Sequence, residues 1–153
     1  MSTPITFFPS RSQEVVEVIP ETSPIVGNRV ELQLLTTLTC NLKCTYCSLG
    51  VGEMVGSQGK VTYTSDALDA FIKKYLSQHE IYITFYGGEP TLNLDFIKEI
   101  MERYPAFRFQ LQTNGTLLDN LPDSILANLS NILLSIDCGE SITDGFRGRG
   151  VYR

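Results

Sequence analysis

Three cysteines, Cys40, Cys44 and Cys47, follow one another within eight positions of the chain. Thiolates at the spacing C-x3-C-x2-C are ligands that suit an iron–sulfur cluster or a zinc ion. Three thiolates on a short loop can hold three irons of a 4Fe–4S cubane, which leaves the fourth iron open to a small chelating ligand. The spacing alone favours a cluster only modestly over zinc.

Zinc is the main alternative because a structural zinc site also uses cysteine. Such a site needs four protein ligands in a closed tetrahedron, so a fourth would have to come from Cys138, His79 or a carboxylate. His79 is expected at the end of a helix, away from the cysteine loop, as a solvated residue. Cys138 is expected on the same sheet edge as the loop, so zinc stays open. A disulfide within the loop is disfavoured in a reducing compartment.

The elements that must position these cysteines form a β-α-β-α-β-α-β series. Apolar or alternating runs predict strands at 30–35, 81–86, 107–112 and 131–136, and helical spacing predicts helices at 64–78, 93–104 and 121–129. Thr64 or Ser65 is expected to cap the first helix and Asn93 the second, with Pro122 in the first turn of the third. The series predicts an α/β fold with a parallel sheet and right-handed crossovers.

Two regions are expected along the chain. Residues 1–28 contain four prolines and are interpreted as an N-terminal extension, with a possible short strand at 14–19. Residues 29–153 are interpreted as the core domain.

Unusual residues follow each predicted strand. They are the cysteine loop, Gly87-Gly88-Glu89-Pro90, Gln112-Thr113-Asn114-Gly115 and Ser135-Ile136-Asp137. Parallel sheets bind ligands outside the carboxyl ends of their strands. Because all four segments fall on that one edge, the sequence predicts a ligand site there.

Two of these motifs together resemble the radical S-adenosylmethionine superfamily. They are the cysteine motif, with Tyr46 before its last cysteine, and Gly87-Gly88-Glu89-Pro90. The resemblance runs from about Val30 to the end and is nearest to the branch of anaerobic sulfatase-maturating enzymes and other peptide-modifying maturases. Ser135-Ile136-Asp137 and residues 147–150 resemble that branch's stretch after the fourth strand. The resemblance implies a partial TIM-like barrel, here truncated after about four strands.

The resemblance also implies cofactors and an activity. A 4Fe–4S cluster on Cys40, Cys44 and Cys47 would cleave S-adenosylmethionine reductively to a 5′-deoxyadenosyl radical, which abstracts a hydrogen from the substrate. By family analogy the substrate is a peptide or protein, and a low-potential donor such as flavodoxin or ferredoxin supplies the electron. A radical enzyme acting on a small molecule or nucleotide stays open.

Roles implied by the resemblance begin with the glycine-rich segment. Gly87, Gly88 and Glu89, with Pro90 after them, would bind the methionine amino group, since glycine lets backbone approach a ligand and a carboxylate suits an ammonium. Tyr46 would pack near the cluster and adenine, although ordinary core packing also explains it.

The later segments supply further implied cofactor contacts. Ser135 would hydrogen-bond the ribose, or else bond its own backbone at a strand end. Arg147 would pair with the methionine carboxylate, or else be a solvated surface arginine. Asn114 and Asp137 lie at the same edge, and turn chemistry explains Asn114 at least as well.

Two departures from the family pattern matter. Cys138 stands where the branch has glycine, which suggests either a tolerated small residue or a donor of a hydrogen atom to a substrate radical. The chain also reaches Arg153 where the fourth helix is expected to begin. We therefore expect a fragment, or a product whose remaining barrel comes from another chain, with an exposed edge on its last strand. A noncatalytic iron–sulfur-binding remnant and a zinc-binding interaction module are the alternative functions.

Composition narrows the partners. The net charge of −5 and pI near 4.8 disfavour nucleic acid, because an acidic surface repels phosphates. No apolar run approaches the roughly 18 residues that a membrane helix needs, and no secretory signal is recognised at the start. These features lead us to expect no membrane partner and a cytoplasmic location.

Overall fold

The computed structural model describes residues 5–6, 27–47 and 63–152. Within them a parallel sheet alternates with helices. The strands are β1 (Ile5–Thr6), β2 (Arg29–Thr37), β3 (Glu80–Gly87), β4 (Arg108–Thr113) and β5 (Leu129–Leu134), and the helices are α1 (Ser65–Tyr75), α2 (Leu94–Arg103), α3 (Asp123–Leu126) and α4 (Glu140–Arg147). Short 3-10 turns lie at Pro90–Asn93 and Leu118–Asn120. The strand predicted at 14–19 lies outside the described residues.

The sheet is open, and its strands follow chain order, β1-β2-β3-β4-β5. Every neighbouring pair is parallel. Sequential order with right-handed crossovers puts the connecting helices on one face, as in a barrel, rather than on both. The predicted α/β parallel sheet is confirmed. β1 was missed because two residues are too few to show a strand pattern.

The hydrophobic core lies between α1, α2 and one face of the sheet. Alternate residues of the strands are buried on that face: Val30, Leu32, Leu34, Ile81, Ile83, Phe85, Phe109 and Leu111. The helices contribute Leu68, Ile72, Ile97 and Ile100. Removing this apolar surface from water is the main force that holds the sheet in place beneath the loops of its carboxyl edge.

The first two helices start close to the predicted positions. Thr64 caps α1 by accepting a hydrogen bond from the Ala67 amide at 3.2 Å, as predicted. The helix ends at Tyr75 rather than 78, because the chain turns there to enter β3. Asn93 occupies the N-cap position of α2, as predicted. Its side chain makes no cap bond and instead donates to the Thr36 carbonyl at 2.9 Å, which ties this turn to β2.

The third helix is shorter than predicted. It covers only Asp123–Leu126, just after Pro122, because β5 already begins at Leu129. Leu129 pairs with Phe109, so β5 starts two residues before the predicted strand. Leu129, which was predicted to be helical, therefore belongs to the sheet.

A fourth helix already occupies Glu140–Arg147, so the expectation that it begins near Arg153 is wrong. Gly139 precedes it without a side-chain cap bond, and the usual sequence signal for a helix start is therefore missing. Glu140 in the first turn and Arg147 in the last suit the helix dipole.

β5 forms one edge of the sheet, as expected for the last strand. Its apolar residues Ile132, Leu133 and Leu134 are 40–51% exposed. Among the described residues, none of the helices is long and apolar enough to cross a membrane.

Candidate iron–sulfur and cofactor site

The loops at the carboxyl ends of β2 to β5 enclose a cavity of about 230 Å³. The residues that line it are Cys40, Leu42, Cys44, Tyr46, Cys47, Tyr86, Gly87, Gly88, Gln112, Thr113, Asn114, Ser135 and Arg147. The structure thus brings together most of the residues singled out in the sequence. Glu89, Pro90, Asp137 and Cys138 are outside this lining. Leu42 and Tyr86 were not singled out, because nothing in their types marks them for chemistry, and Gln112 and Thr113 were placed at this edge without an individual role.

The three loop cysteines are free and half-buried. The Cys47 amide donates to the Cys44 carbonyl at 3.1 Å, which closes a turn and keeps these two ligands close in space. The Leu42 amide donates to Cys40 Sγ at 3.4 Å. Burial raises the pKa of the Cys40 thiol, while the Leu42 amide opposes that shift. Burial also raises the pKa of Cys44, against the positive charge of Arg147.

The donor set fits a cluster better than a single zinc ion. Across the described residues, no three His, Cys, Asp or Glu side chains converge as ligands of one ion. A cubane binds each thiolate to a different iron, so its sulfurs need proximity rather than convergence. The fourth zinc ligands considered above also fail to line the cavity. His79 lies just after α1 and is half-buried, and its Nδ1 is buried without a hydrogen-bond partner among the described residues.

Gly87 and Gly88 pack against the stem of the cysteine loop. Gly88 donates its amide to the Thr37 carbonyl at 2.8 Å, and the Glu89 amide donates to Thr39 at 2.8 Å. A Cβ on Gly87 would overlap the Thr37 carbonyl oxygen, and one on Gly88 would overlap that of Thr39. Gly87 also has φ +136°, which side chains rarely tolerate. The glycine pair therefore fixes the strand from which the cysteines emerge.

Glu89 is fully buried, with 0% of its surface exposed. Its Oε1 accepts from the Thr91 amide at 3.2 Å, the Thr91 hydroxyl at 2.7 Å and the Thr113 hydroxyl at 2.8 Å. Its Oε2 accepts from the Asn114 amide at 2.8 Å. A carboxylate has about four acceptor sites, so protein donors occupy most of its capacity. The side chain clamps the turn after β3 to the end of β4.

Asp137 joins α4 to the cysteine loop. The Tyr46 hydroxyl donates to Oδ1 of Asp137 at 2.8 Å, and Arg147 donates from Nε at 2.8 Å and from Nη2 at 3.2 Å. These bonds lower the pKa of the Asp137 carboxyl, Arg147 having the larger effect. The Thr45 amide also donates to the Phe146 carbonyl at 2.9 Å. The Asp137 bonds thus hold Arg147 beside the cavity and dock α4 on the loop.

We predict that Asp137→Asn loosens this docking. The amide cannot reproduce a two-pronged bond to arginine and also accept from Tyr46, so the Thr45–Phe146 bond opens more often. Hydrogen exchange of the Thr45 amide, measured by NMR on the reduced, cofactor-free chain, should accelerate about threefold to fivefold, the scale of a solvent-accessible ion pair. Asp119→Asn, on an exposed turn, is the control. Unchanged Thr45 exchange in Asp137→Asn would contradict this account of the docking.

The remaining predicted residues differ in their placement. Ser135 lines the cavity, and its amide donates to the Thr113 carbonyl at 2.8 Å, which extends the β4–β5 pairing. Cys138 is exposed. The Thr143 hydroxyl donates to the Cys138 carbonyl at 3.1 Å, so this link fixes the backbone of Cys138 rather than its sulfur.

A larger cavity, of about 530 Å³, lies between α2, α3 and the first residues of β4 and β5. It is at the amino ends of the strands, opposite the cysteine loop, and its charged lining residues are Lys98, Glu102 and Arg108. No cysteine lines it. Since parallel sheets bind ligands at their carboxyl ends, the cysteine-lined cavity is the candidate site.

Comparison with known families and proteins finds a family match and several similar proteins. Residues 34–151 match the Radical SAM superfamily. The Cysteine-type anaerobic sulfatase-maturating enzyme of Clostridium perfringens is 38% identical over 93 residues, which are 52% of this chain and 25% of that protein. A probable GTP 3′,8-cyclase of Methanocella arvoryzae is 34% identical over 115 residues, covering 72% of this chain and 36% of the cyclase.

A solved structure shows similarity in three dimensions as well. The structure of hexahistidine-tagged anSMEcpe with bound AdoMet superposes with a TM-score of 0.60 at 30% identity, covering 80% of this chain and 36% of that one. The chain therefore spans between a quarter and about a third of the length of each of these three proteins.

Proposed function

Because this chain belongs to the Radical SAM superfamily, we propose that it holds a 4Fe–4S cluster through Cys40, Cys44 and Cys47 and binds S-adenosylmethionine beside it. The family uses both cofactors. The observation that carries the proposal is the cavity in which the three cysteines meet Gly87, Gly88, Ser135 and Arg147. When bound and reduced, the cluster would supply one electron for the cleavage of S-adenosylmethionine into methionine and a 5′-deoxyadenosyl radical, which would abstract a hydrogen atom from the substrate.

The chain's own residues would bind and orient the S-adenosylmethionine. The backbone at Gly87 and Gly88 faces the cavity and offers polar groups to the methionine amino group. Ser135 would hydrogen-bond the ribose, and Tyr46 would pack on the adenine side. Arg147 would attract the methionine carboxylate, and Asp137 would hold the Arg147 side chain in place. The two hydrogen bonds from Arg147 to Asp137 support this arrangement.

The substrate we propose is a peptide or protein. Support comes from the similarity to the Cysteine-type anaerobic sulfatase-maturating enzyme, whereas the similarity to a probable GTP 3′,8-cyclase favours a nucleotide as the competing substrate. A low-potential protein such as flavodoxin or ferredoxin would supply the electron.

Anaerobic reconstitution with iron, sulfide and reductant, followed by S-adenosylmethionine, tests the proposal. We expect a 4Fe–4S absorption and EPR signal and the formation of 5′-deoxyadenosine, with Cys44→Ala as the negative control. A cluster without cleavage would indicate the noncatalytic remnant instead. One zinc and no iron in anaerobically purified protein would overturn the cluster assignment and indicate the zinc module.

Cys138 as a hydrogen-atom donor to a substrate radical stays a prediction from the sequence. Its support is its position just past the carboxyl end of β5, with an exposed side chain. If Cys138→Ala gives the same product yield and stereochemistry as the unaltered chain, this role is rejected.

We also propose that the sheet continues beyond β5 in the functional protein, from the same polypeptide or another chain. The support is the exposed apolar surface of β5, which is costly for a sheet edge in water. Native mass spectrometry tests it: a monomeric mass of 17.1 kDa for the active species would contradict the proposal.

A further inference from the structure

The side-chain amide of Asn114 lies against the sulfur of Cys40. Asn114 follows β4 directly, and its Nδ2 is 3.8 Å from Cys40 Sγ. The same nitrogen donates to Asn41 Oδ1 at 2.9 Å. A side-chain NH2 group has two protons, so it can serve both acceptors at once. A role in turn formation alone does not explain this contact with a predicted metal ligand.

Neighbouring donors determine which way the Asn114 amide points. The Thr116 backbone amide can only donate, and it lies 3.0 Å from Asn114 Oδ1. Oδ1 must therefore face Thr116, which leaves Nδ2 facing Cys40. The Thr116 hydroxyl donates to the same Oδ1 at 2.7 Å and accepts from Asn41 Nδ2 at 2.7 Å. Asn114, Asn41 and Thr116 thus form a closed ring in which each donor meets an acceptor.

The backbone of Asn114 is anchored from the opposite side. Its amide donates to Oε2 of the buried Glu89 at 2.8 Å, so β3 and β4 together fix where the side chain begins. Cys40 Sγ also receives the Leu42 amide at 3.4 Å. In the part of the chain that the structure describes, no N–H donates to the sulfur of Cys44 or Cys47. Among the described residues, Cys40 is therefore the one loop cysteine whose sulfur receives N–H hydrogen bonds.

We propose that Asn114 raises the reduction potential of the cluster that Cys40 helps to hold, an inference that rests on the proposed function. An N–H group donated to a ligating sulfur withdraws electron density and stabilises the extra negative charge of the reduced cluster. The Asn41–Thr116 pair keeps the donor aimed at the sulfur. Asn114 thus makes reduction of the cluster easier for the electron donor.

A potentiometric titration of the reconstituted cluster, followed by EPR, tests this inference. Asn114→Leu removes the donor at similar size and should shift the midpoint potential to more negative values. Asn114→Asp replaces the donor with a carboxylate oxygen and should shift it further in the same direction. Asn120→Leu makes the same chemical change on an exposed turn and should leave the potential unchanged.

A second variant covers the case in which Asn114→Leu fails to assemble the cluster. Thr116→Val leaves Asn114 in place but opens the ring, so a smaller negative shift is expected. An unchanged potential in Asn114→Leu, or in Thr116→Val if Asn114→Leu does not assemble, overturns the inference while the proposed function stands. An unaltered chain that takes up no 4Fe–4S cluster overturns both. The measurement needs no turnover, so failure to cleave S-adenosylmethionine does not affect it.

Discussion

Gly87→Ala is expected to lower the free energy of unfolding of the cofactor-free chain by about 2–5 kcal/mol, from backbone strain together with overpacking. Gly87 has φ +136°, and a Cβ there would overlap the carbonyl oxygen of its strand partner Thr37. The nearest atom is backbone, so a movement of the Leu35 side chain, whose Cδ1 would lie 3.1 Å away, cannot relieve the overlap. Relief requires β2 and β3 to separate at the point where the cysteine loop begins.

The same variant is expected to lose most of its cluster on anaerobic reconstitution. Separation at Thr37 displaces Thr39 and Cys40, which follow two and three positions later in the chain, so the three thiolates no longer share the cavity. Chemical denaturation gives the stability, and iron and sulfide content give the cluster occupancy. Both effects should appear together because they have one geometric cause.

Gly145→Ala provides the matched control. Gly145 lies inside α4, and a Cβ there has no atom within 4 Å. Alanine in a helix interior is more favourable than glycine by roughly 0.5–1 kcal/mol, so this variant should be as stable as the unaltered chain or slightly more stable. If Gly87→Ala were as stable as Gly145→Ala, the inference that β3 packs tightly on the stem of the cysteine loop would be contradicted.

The sequence predicted the sheet because its signals are local. The apolar runs in β2 and β3, the alternation in β4 and the Thr64 cap depend on near neighbours. The ends of these strands lie within two residues of their predicted positions, and Thr64 is the cap, as predicted. α4 was missed because Gly139 offers no cap side chain, and α3 was overextended because the β5 ladder begins at Leu129. Pairing with a distant strand is not visible in a helical pattern.

Part of the site was equally predictable. Parallel topology alone brings the cysteine loop, Gly87 and Ser135 to one edge, so the sequence could place them together. The sequence could not show which atoms each of these residues contacts at that edge. Gly87 meets the Thr37 carbonyl and Asn114 meets Cys40 Sγ, contacts between segments 50 or more positions apart that require the register of three strands to be known.

Glu89→Gln is expected to lower the stability of the cofactor-free chain by about 1–3 kcal/mol, the cost of leaving a buried donor unpaired. The family resemblance implied that this carboxylate binds the methionine ammonium, whereas in the structure it accepts four hydrogen bonds from protein donors. In glutamine one terminal atom becomes a donor. If the NH2 group takes the place of Oε1 it faces the Thr91 amide, and if it takes the place of Oε2 it faces the Asn114 amide. Either way one buried backbone N–H loses its acceptor.

Stability without cofactor therefore distinguishes a clamp from a ligand. Urea denaturation of the reduced chain should show the loss in Glu89→Gln and none in Glu99→Gln, an exposed change on α2. A double-mutant cycle with Thr113→Val should give a coupling energy, because the two side chains share one hydrogen bond. Unchanged stability combined with weaker S-adenosylmethionine binding would instead assign the carboxylate to the ammonium. If Glu89 is a clamp, the cofactor-free chain itself loses stability. Affinity for S-adenosylmethionine then falls only as a consequence, because Asn114 and the turn after β3 are no longer held together.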